Sequence, residues 1–221
     1  MPEIIAEIAN PGKYAAGDLC SIALGFPAAT EQVQAALKAI GVDGLRYEEI
    51  FVLEYTAKVD GLANVLSEYA GIDELNYLAC RLQALGPDER IVFSAALKQR
   101  ANIREDLPDL INLTYNLDCY EFYPGVNTYE EYGWYLVDNE LGFSLPEQAK
   151  HYFDYEAYGE SAAINEGGVL TAWGYISRNQ QPFEKIYQNE VPPEYRVFRY
   201  PMQARIRPIQ HREKGGHPPQ K

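Results

Sequence analysis

The stretch Ile50–Pro87, IFVLEYTAKVDGLANVLSEYAGIDELNYLACRLQALGP, changes periodicity part-way, and that change decides the fold class. Ile50 to Tyr55 is a β-prone run introduced by Glu48-Glu49. From Gly61 onward the apolar residues fall at helical spacing. Leu62, Val65, Leu66 and Tyr69 share one face; Leu75, Leu78, Ala79 and Leu82 share another, stopped by Gly86. Pro87 opens a third helix with Ile91, Val92, Ala95 and Ala96 inward, and Leu107, Leu110 and Ile111 make a short fourth. Four short amphipathic helices in about 55 residues predict a compact bundle.

On the N-terminal side, Ile4 to Ala9 alternates as a strand and Asn10-Pro11-Gly12 reads as a turn. Thr30 is placed to cap a helix whose inward residues are Val33, Ala36, Leu37 and Ile40, closed by Gly41. On the C-terminal side, Leu117 to Tyr123 reads as a strand stopped by Pro124-Gly125. Thr128 and Glu131 form a capping box for a helix carrying Tyr132, Tyr135 and Leu136. Ser144 and Glu147 form a second box, with Pro146 in its first turn, and Val169 to Ile176 reads as a strand after Gly167-Gly168. The reading is an α+β chain in four parts: a mixed unit over 1–60, helices over 61–115, a mixed unit over 116–178 and a tail over 179–221.

The 221 residues hold 32 acids against 19 Lys and Arg, a net charge of −13. The imbalance is local: residues 1–178 hold 28 acids and 11 bases, whereas 179–221 hold 4 acids and 8 bases. An acidic body repels phosphate, so direct nucleic-acid binding is not expected. No apolar stretch approaches the ~20 residues of a membrane span. Met1-Pro2-Glu3 lacks a basic leader, and Cys20, Cys80 and Cys119 are odd in number and far apart, which fits reduced thiols in a cytoplasm. The tail, ending in Lys214-Gly215-Gly216-His217-Pro218-Pro219, reads as a basic and partly disordered appendix. The capping boxes, helical faces and strands invoked here precede Arg178, so truncation there is expected to leave the body folded; in the tail, Val197-Phe198-Arg199-Tyr200 is patterned as a docked strand.

The enzyme templates fail. Gly12 and Gly17 have phosphate-loop spacing, but Asp18-Leu19 follows where Lys and Ser or Thr are needed. His151 is the one histidine outside the tail, and no two cysteines have zinc-ligand spacing, so no metal or cofactor is expected. A carboxylate-pair hydrolase stays open, because counting acids does not show which share a cleft. What stands out is acid interleaved with tyrosine: Asp118-Cys119-Tyr120-Glu121-Phe122-Tyr123, Tyr129-Glu130-Glu131-Tyr132 and Asp154-Tyr155-Glu156-Ala157-Tyr158. These are core tyrosines with solvated acids, or else a recognition surface for a basic partner.

The phrase Asp154-Tyr155-Glu156-Ala157-Tyr158-Gly159, preceded by Leu145-Pro146-Glu147 and followed by the Gly168–Ile176 ending, resembles the C-terminal part of the ArdA antirestriction proteins. Glu48-Glu49-Ile50-Phe51 and Ile72-Asp73-Glu74-Leu75-Asn76 resemble that family's first and middle domains, so the resemblance covers roughly 3–177. Leu53-Glu54-Tyr55 departs from it where an Asp-Tyr-Glu-like triplet is expected, and the tail is extra. The resemblance implies an elongated, non-enzymatic, three-domain protein that mimics B-DNA, occupies the groove of a type I restriction–modification methyltransferase/specificity complex and forms a homodimer. It implies that Asp73, Glu74, Asp88, Glu89, Glu105, Asp106, Asp109, Asp118, Glu121, Glu130, Glu131, Asp138, Glu140, Asp154, Glu156 and Glu160 stand in for phosphates. It implies a dimer interface at Tyr132, Tyr135, Leu136, Tyr152, Tyr155 and Tyr158, within about 128–160. An acidic adaptor for another basic DNA-associated protein is the alternative. Twenty-eight carboxylates matched one-for-one to phosphates cover about 48 Å of duplex, more than the roughly 44 Å diameter of a compact 221-residue globule.

Overall fold

The structure, a computed structural model, describes residues 1–100, 106–139 and 145–201. Its first sheet holds β1 (Ile4–Ala9), β2 (Ser21–Phe26) and β3 (Phe51–Ala57), all antiparallel in the order β2-β1-β3. Ile4 pairs with Phe26 on one side and Ala57 on the other, with a register shift between Glu7 and Ile8. Alternation works as the sequence predicts: Ile4, Ala6 and Ile8 are buried, Ile5 and Glu7 partly exposed. The expected turn at Asn10 is instead the start of a short helix, α1 (Pro11–Ala15), because the Asn10 side chain accepts from the Lys13 amide and caps it. Helix α2 (Thr30–Ala39) buries Val33, Ala36 and Leu37, with Ile40 at its C-cap and Gly41 at φ +74° just beyond. Its N-cap is Ala29 rather than Thr30; Gln32 accepts from the Ala29 amide.

The helix expected from Leu62 to Tyr69 does not form. A single 3-10 turn covers Leu62–Asn64, and the chain then runs back along β3. There Val52 donates its amide to the Glu68 carbonyl and the Tyr55 hydroxyl donates to the Ser67 carbonyl, so the strand captures backbone that a helix would have used internally. The remaining helical expectations hold as α3 (Ile72–Ala84), α4 (Pro87–Gln99) and α5 (Leu107–Leu113). In α4 the five consecutive residues Phe93–Leu97 are buried while Ile91 and Val92 are half-exposed. The helix is covered around much of its circumference because it also packs against the second sheet.

That sheet has the order β4-β6-β5, with β4 (Tyr120–Pro124), β5 (Val169–Thr171) and β6 (Gly174–Arg178) antiparallel. The strand expected over 117–123 begins with a 3-10 turn at Leu117–Cys119. The one expected over 169–176 is a hairpin: Thr171 donates its hydroxyl to the Gly174 carbonyl and accepts from the Trp173 amide, folding the chain back. Three helices accompany the sheet, α6 (Tyr129–Asp138), α7 (Glu147–Lys150) and α8 (Tyr155–Glu166). The Thr128–Glu131 capping box is present, each residue's side chain taking the other's amide at 3.1 Å. Helix α7 starts from Pro146 as its N-cap; Ser144, offered as a cap, lies outside the described residues.

One cluster of buried side chains runs from Ile4 through Leu75, Phe93 and Leu110 to Ile176 and Val197, and a second is built on Tyr132, Leu136, Ala163 and Tyr175. Glu3, 3% exposed, ties the first sheet to α4: its carboxylate takes Lys58 at 2.9 Å and Arg90 at 2.7 Å. Burial pushes this carboxyl up, but the hydrogen bonds and charges of Arg90 and Lys58 outweigh it and hold it below the ordinary range.

The tail corrects the sequence expectation most. Residues 179–201 are a strap across α3 and α5, with Tyr187, Val191 and Val197 in the core. Asn116 pairs with Glu184 (Oδ1 from its amide at 2.7 Å, Nδ2 to its carbonyl at 2.9 Å), and Asn112 pairs with Tyr187 in the same way at 2.8 and 3.0 Å. Asn76 donates to the Tyr195 carbonyl, and one oxygen of Asp73 accepts from both Val197 and Phe198 amides at 2.7 Å. Arg178 is therefore not the end of the packed body, and the expectation of a separate tail beginning at 179 is corrected. The strap holds three acids and three bases; the whole positive surplus of the tail falls in 202–221, outside the described residues.

Candidate partner interface

Helix capping decides where many of the acids stand. The first turns of α3, α4, α5, α6 and α8 carry Asp73 and Glu74, Asp88 and Glu89, Asp109, Glu130 and Glu131, and Glu156. Acids are stabilised there by the positive end of the helix dipole, at about 0.3–1 kcal/mol each on an exposed surface. Asp106 caps α5 by accepting the Asp109 amide, and Asp154 caps α8 by accepting that of Ala157. Glu89 takes the Gly86 amide at 2.7 Å. Asp138 lies 3.7 Å from Lys150, and Glu121 accepts from the Tyr123 hydroxyl.

The sixteen proposed phosphate mimics thus divide. Asp73 and Glu74 are half-buried under the strap, Glu74 accepting from the Tyr187 hydroxyl at 2.8 Å. Asp109 is half-buried, and Glu105 and Glu140 lie outside the described residues. Asp88, Asp118, Glu130, Glu156 and Glu160 are exposed, with no side-chain hydrogen bond or ion pair to another described residue. These five are available to a partner without any change in the fold.

The tyrosines divide too. Tyr132 stacks on Tyr175 at 3.8 Å, and both hydroxyls donate to one oxygen of Glu166, at 2.7 and 3.0 Å. Burial first, and the Glu166 carboxylate after it, push both phenols above the ordinary tyrosine range. Tyr132, Leu136 and Tyr155 are 1%, 6% and 5% exposed, so the same chain already covers them and they are corrected from interface to interior. Tyr135 and Tyr158 are half-buried, and Tyr152 is 86% exposed. Trp134, missed in the sequence, lies flat on Tyr155 at 3.9 Å with its outer face open. Its signal was its place on α6, off the Tyr132–Leu136 face, where a large ring has no core to enter.

The antirestriction protein (ArdA) family model matches residues 7–177, from β1 to β6. This chain belongs to the ArdA antirestriction protein family. Comparison with curated proteins finds no match. Antirestriction is inhibition of restriction enzymes, the role the family assigns. Among the described residues two carboxyls, Glu3 and Asp43, titrate below the ordinary range. Asp43 is held down by the amides of Leu45, Tyr47 and Arg46, a loop contact on the surface. Among the described residues no group of three or more His, Cys, Asp or Glu is placed to hold a metal, and no helix is long and apolar enough to cross a membrane.

Proposed function

We propose that this ArdA-family chain inhibits a type I restriction–modification enzyme in the cytoplasm by presenting carboxylates in place of DNA phosphates. The observation that carries the reading is the set of exposed, uncommitted acids, Asp88, Asp118, Glu130, Glu156 and Glu160, on a body with 17 more acids than bases over residues 1–178. The strap is neutral and leaves that excess in place. Segments 1–60, 61–115 and 116–178 are proposed as successive parts of one acidic stripe, doubled by a homodimer through the region of Trp134 and Tyr152. A compact monomer roughly 44 Å across falls a little short of the about 48 Å that 28 phosphates span, so an extended or paired arrangement lengthens the footprint.

The test is affinity for purified type I methyltransferase core against salt, with duplex DNA as competitor. Exposed charge contacts are worth about 0.2–1 kcal/mol each, so Glu156→Gln alone weakens binding only a few-fold. Neutralising all five acids together weakens it far more and flattens the salt dependence, as losing phosphates does for DNA. A single substitution among the five that abolishes inhibition by a folded chain overturns the mimicry reading.

A further inference from the structure

The strap is held largely by its main chain. Four side chains of the body, Asn76, Asn112, Asn116 and Asp73, make seven hydrogen bonds to its main chain. The three asparagines are 2–3% exposed. Asn112 and Asn116 stand four residues apart, so they lie on one side of the chain and grip strap residues three apart, each through a donor and an acceptor. An amide that offers both groups to the N–H and C=O of one residue does what a neighbouring β-strand does, without reading side chains. Side chains add to the grip: Tyr187 reaches Glu74 and lies against Tyr77, as does Tyr195, Phe183 lies under the Arg100 and Arg178 guanidiniums, the Tyr200 hydroxyl donates to the Glu48 carbonyl, and Val191 and Val197 enter the core. Between them Gln188, Asn189 and Glu190 are exposed.

The fit also has slack. A cavity of about 320 Å³ lies beside the strap at Phe198, lined by Ile50, Tyr69, Ile72, Asp73 and Glu74. The link to the body is short and exposed at Gln180 and Gln181. The strap lies wholly beyond residues 7–177, which the family model matches, whereas its four gripping residues lie within them.

We propose that the α3–α5 face is a binding groove for an extended peptide, filled here by the chain's own strap, and that it takes the same segment from a second copy in trans. Nothing in the main-chain contacts distinguishes the two sources. A copy joined this way is linked through its C-terminal segment, independently of any contact at Trp134 or Tyr152 and of the DNA-mimic reading. The groove selects an extended ligand with an aromatic hydroxyl for Glu74 and two consecutive amides for Asp73.

The test keeps the whole chain. A protease site inserted between Gln180 and Gln181 is cut after folding, and the probe is a fluorescent peptide of residues 182–201. Uncut protein should bind little probe, because the tethered strap competes at high effective concentration. Cut protein should keep its strap through gel filtration, then exchange it for probe. Asn112→Ala with Asn116→Ala should weaken probe binding at least tenfold, and a scrambled probe of equal composition should not exchange. Unfolding on cutting, failure to exchange, equal binding of the scrambled probe, or indifference to the asparagine substitutions would each overturn the proposal.

Discussion

Gly159 of α8 lies on the main chain of α6, against the Gly133 amide and the Tyr129 carbonyl. Gly133 in turn lies against the Tyr155 carbonyl, so the two helices run antiparallel in backbone contact. A Cβ at either position overlaps a carbonyl oxygen that neither helix can move alone. Alanine normally favours a helix over glycine by about 1 kcal/mol, but here the clash outweighs it. Gly159→Ala and Gly133→Ala are each expected to destabilise the fold by about 1–3 kcal/mol net. Urea unfolding measures this; an unchanged midpoint would show that the helices stand further apart.

Loss of the strap is expected to be costly. Tyr187, Val191 and Val197 bury side chains worth about 1.5–3 kcal/mol each before ordering costs, and about 3 kcal/mol net corresponds to roughly 10 °C in a chain of this length. A chain ending at Arg178 should melt at least that much lower than one ending at Pro201. Asn112→Ala alone leaves the amide and carbonyl of Tyr187 without their partner and should cost about 2–4 kcal/mol. Asn112→Asp keeps the acceptor but sets a buried carboxylate oxygen against the Pro108 and Tyr187 carbonyls, so it should cost at least as much as Asn112→Ala.

Glu3 sets an acid limit. Its folded carboxyl titrates below the unfolded value near 4.5, so its contribution is complete above that pH and is lost as pH falls through the lowered value. Glu3→Gln should flatten the stability profile in that window while lowering stability at neutral pH, since Arg90 and Lys58 lose their charged partner. Denaturant midpoints from pH 3 to 7 decide it; parallel profiles for variant and parent would refute the assignment.

Glu166 governs the alkaline side. Tyr132 and Tyr175 are raised above the ordinary phenol range by burial and by this carboxylate, so the folded state is favoured fully below about pH 10 and loses that advantage as pH climbs. Spectrophotometric titration should leave Tyr132 and Tyr175 un-ionised until the protein unfolds, together with Tyr55, Tyr77, Tyr123 and Tyr187, whose phenols burial also raises. Glu166→Ala should cost about 1–3 kcal/mol by stranding two hydroxyls, and Glu166→Gln, which keeps an acceptor, should cost less.

Elements that bury one face of a regular period were legible in the sequence: β1, α2, α3 and the Thr128 capping box follow from spacing alone. Strand β2 was not, because Ile22, Leu24 and Phe26 alternate with Ser21, Ala23 and Gly25, small residues that blur the contrast. Helix α8 was hidden behind its own glycine: its packed side is backbone, so the tyrosines around it look like a recognition surface. The strap was least legible, since its partners include asparagines within helices, Asn76 in α3 and Asn112 in α5, positions usually read as solvent-facing. Two asparagines four apart in the apolar run Leu107–Tyr115 and its continuation were the available signal. For the partner interface, composition gave the excess of acid, but only the hydrogen bonds separate Asp88 or Glu160 from Asp73, whose charge is used inside the molecule.

The strap that closes the core is synthesised after every residue that grips it. At about 5–20 residues per second, the 23 residues from 179 to 201 add roughly 1–5 s after Arg178 has been joined. Through that interval Asn76, Asn112 and Asn116 stand ready with no peptide between them, and one flank of Tyr77 is bare. Closure of the core thereby waits for residues 179–201, and a chain released before they are made carries an open groove.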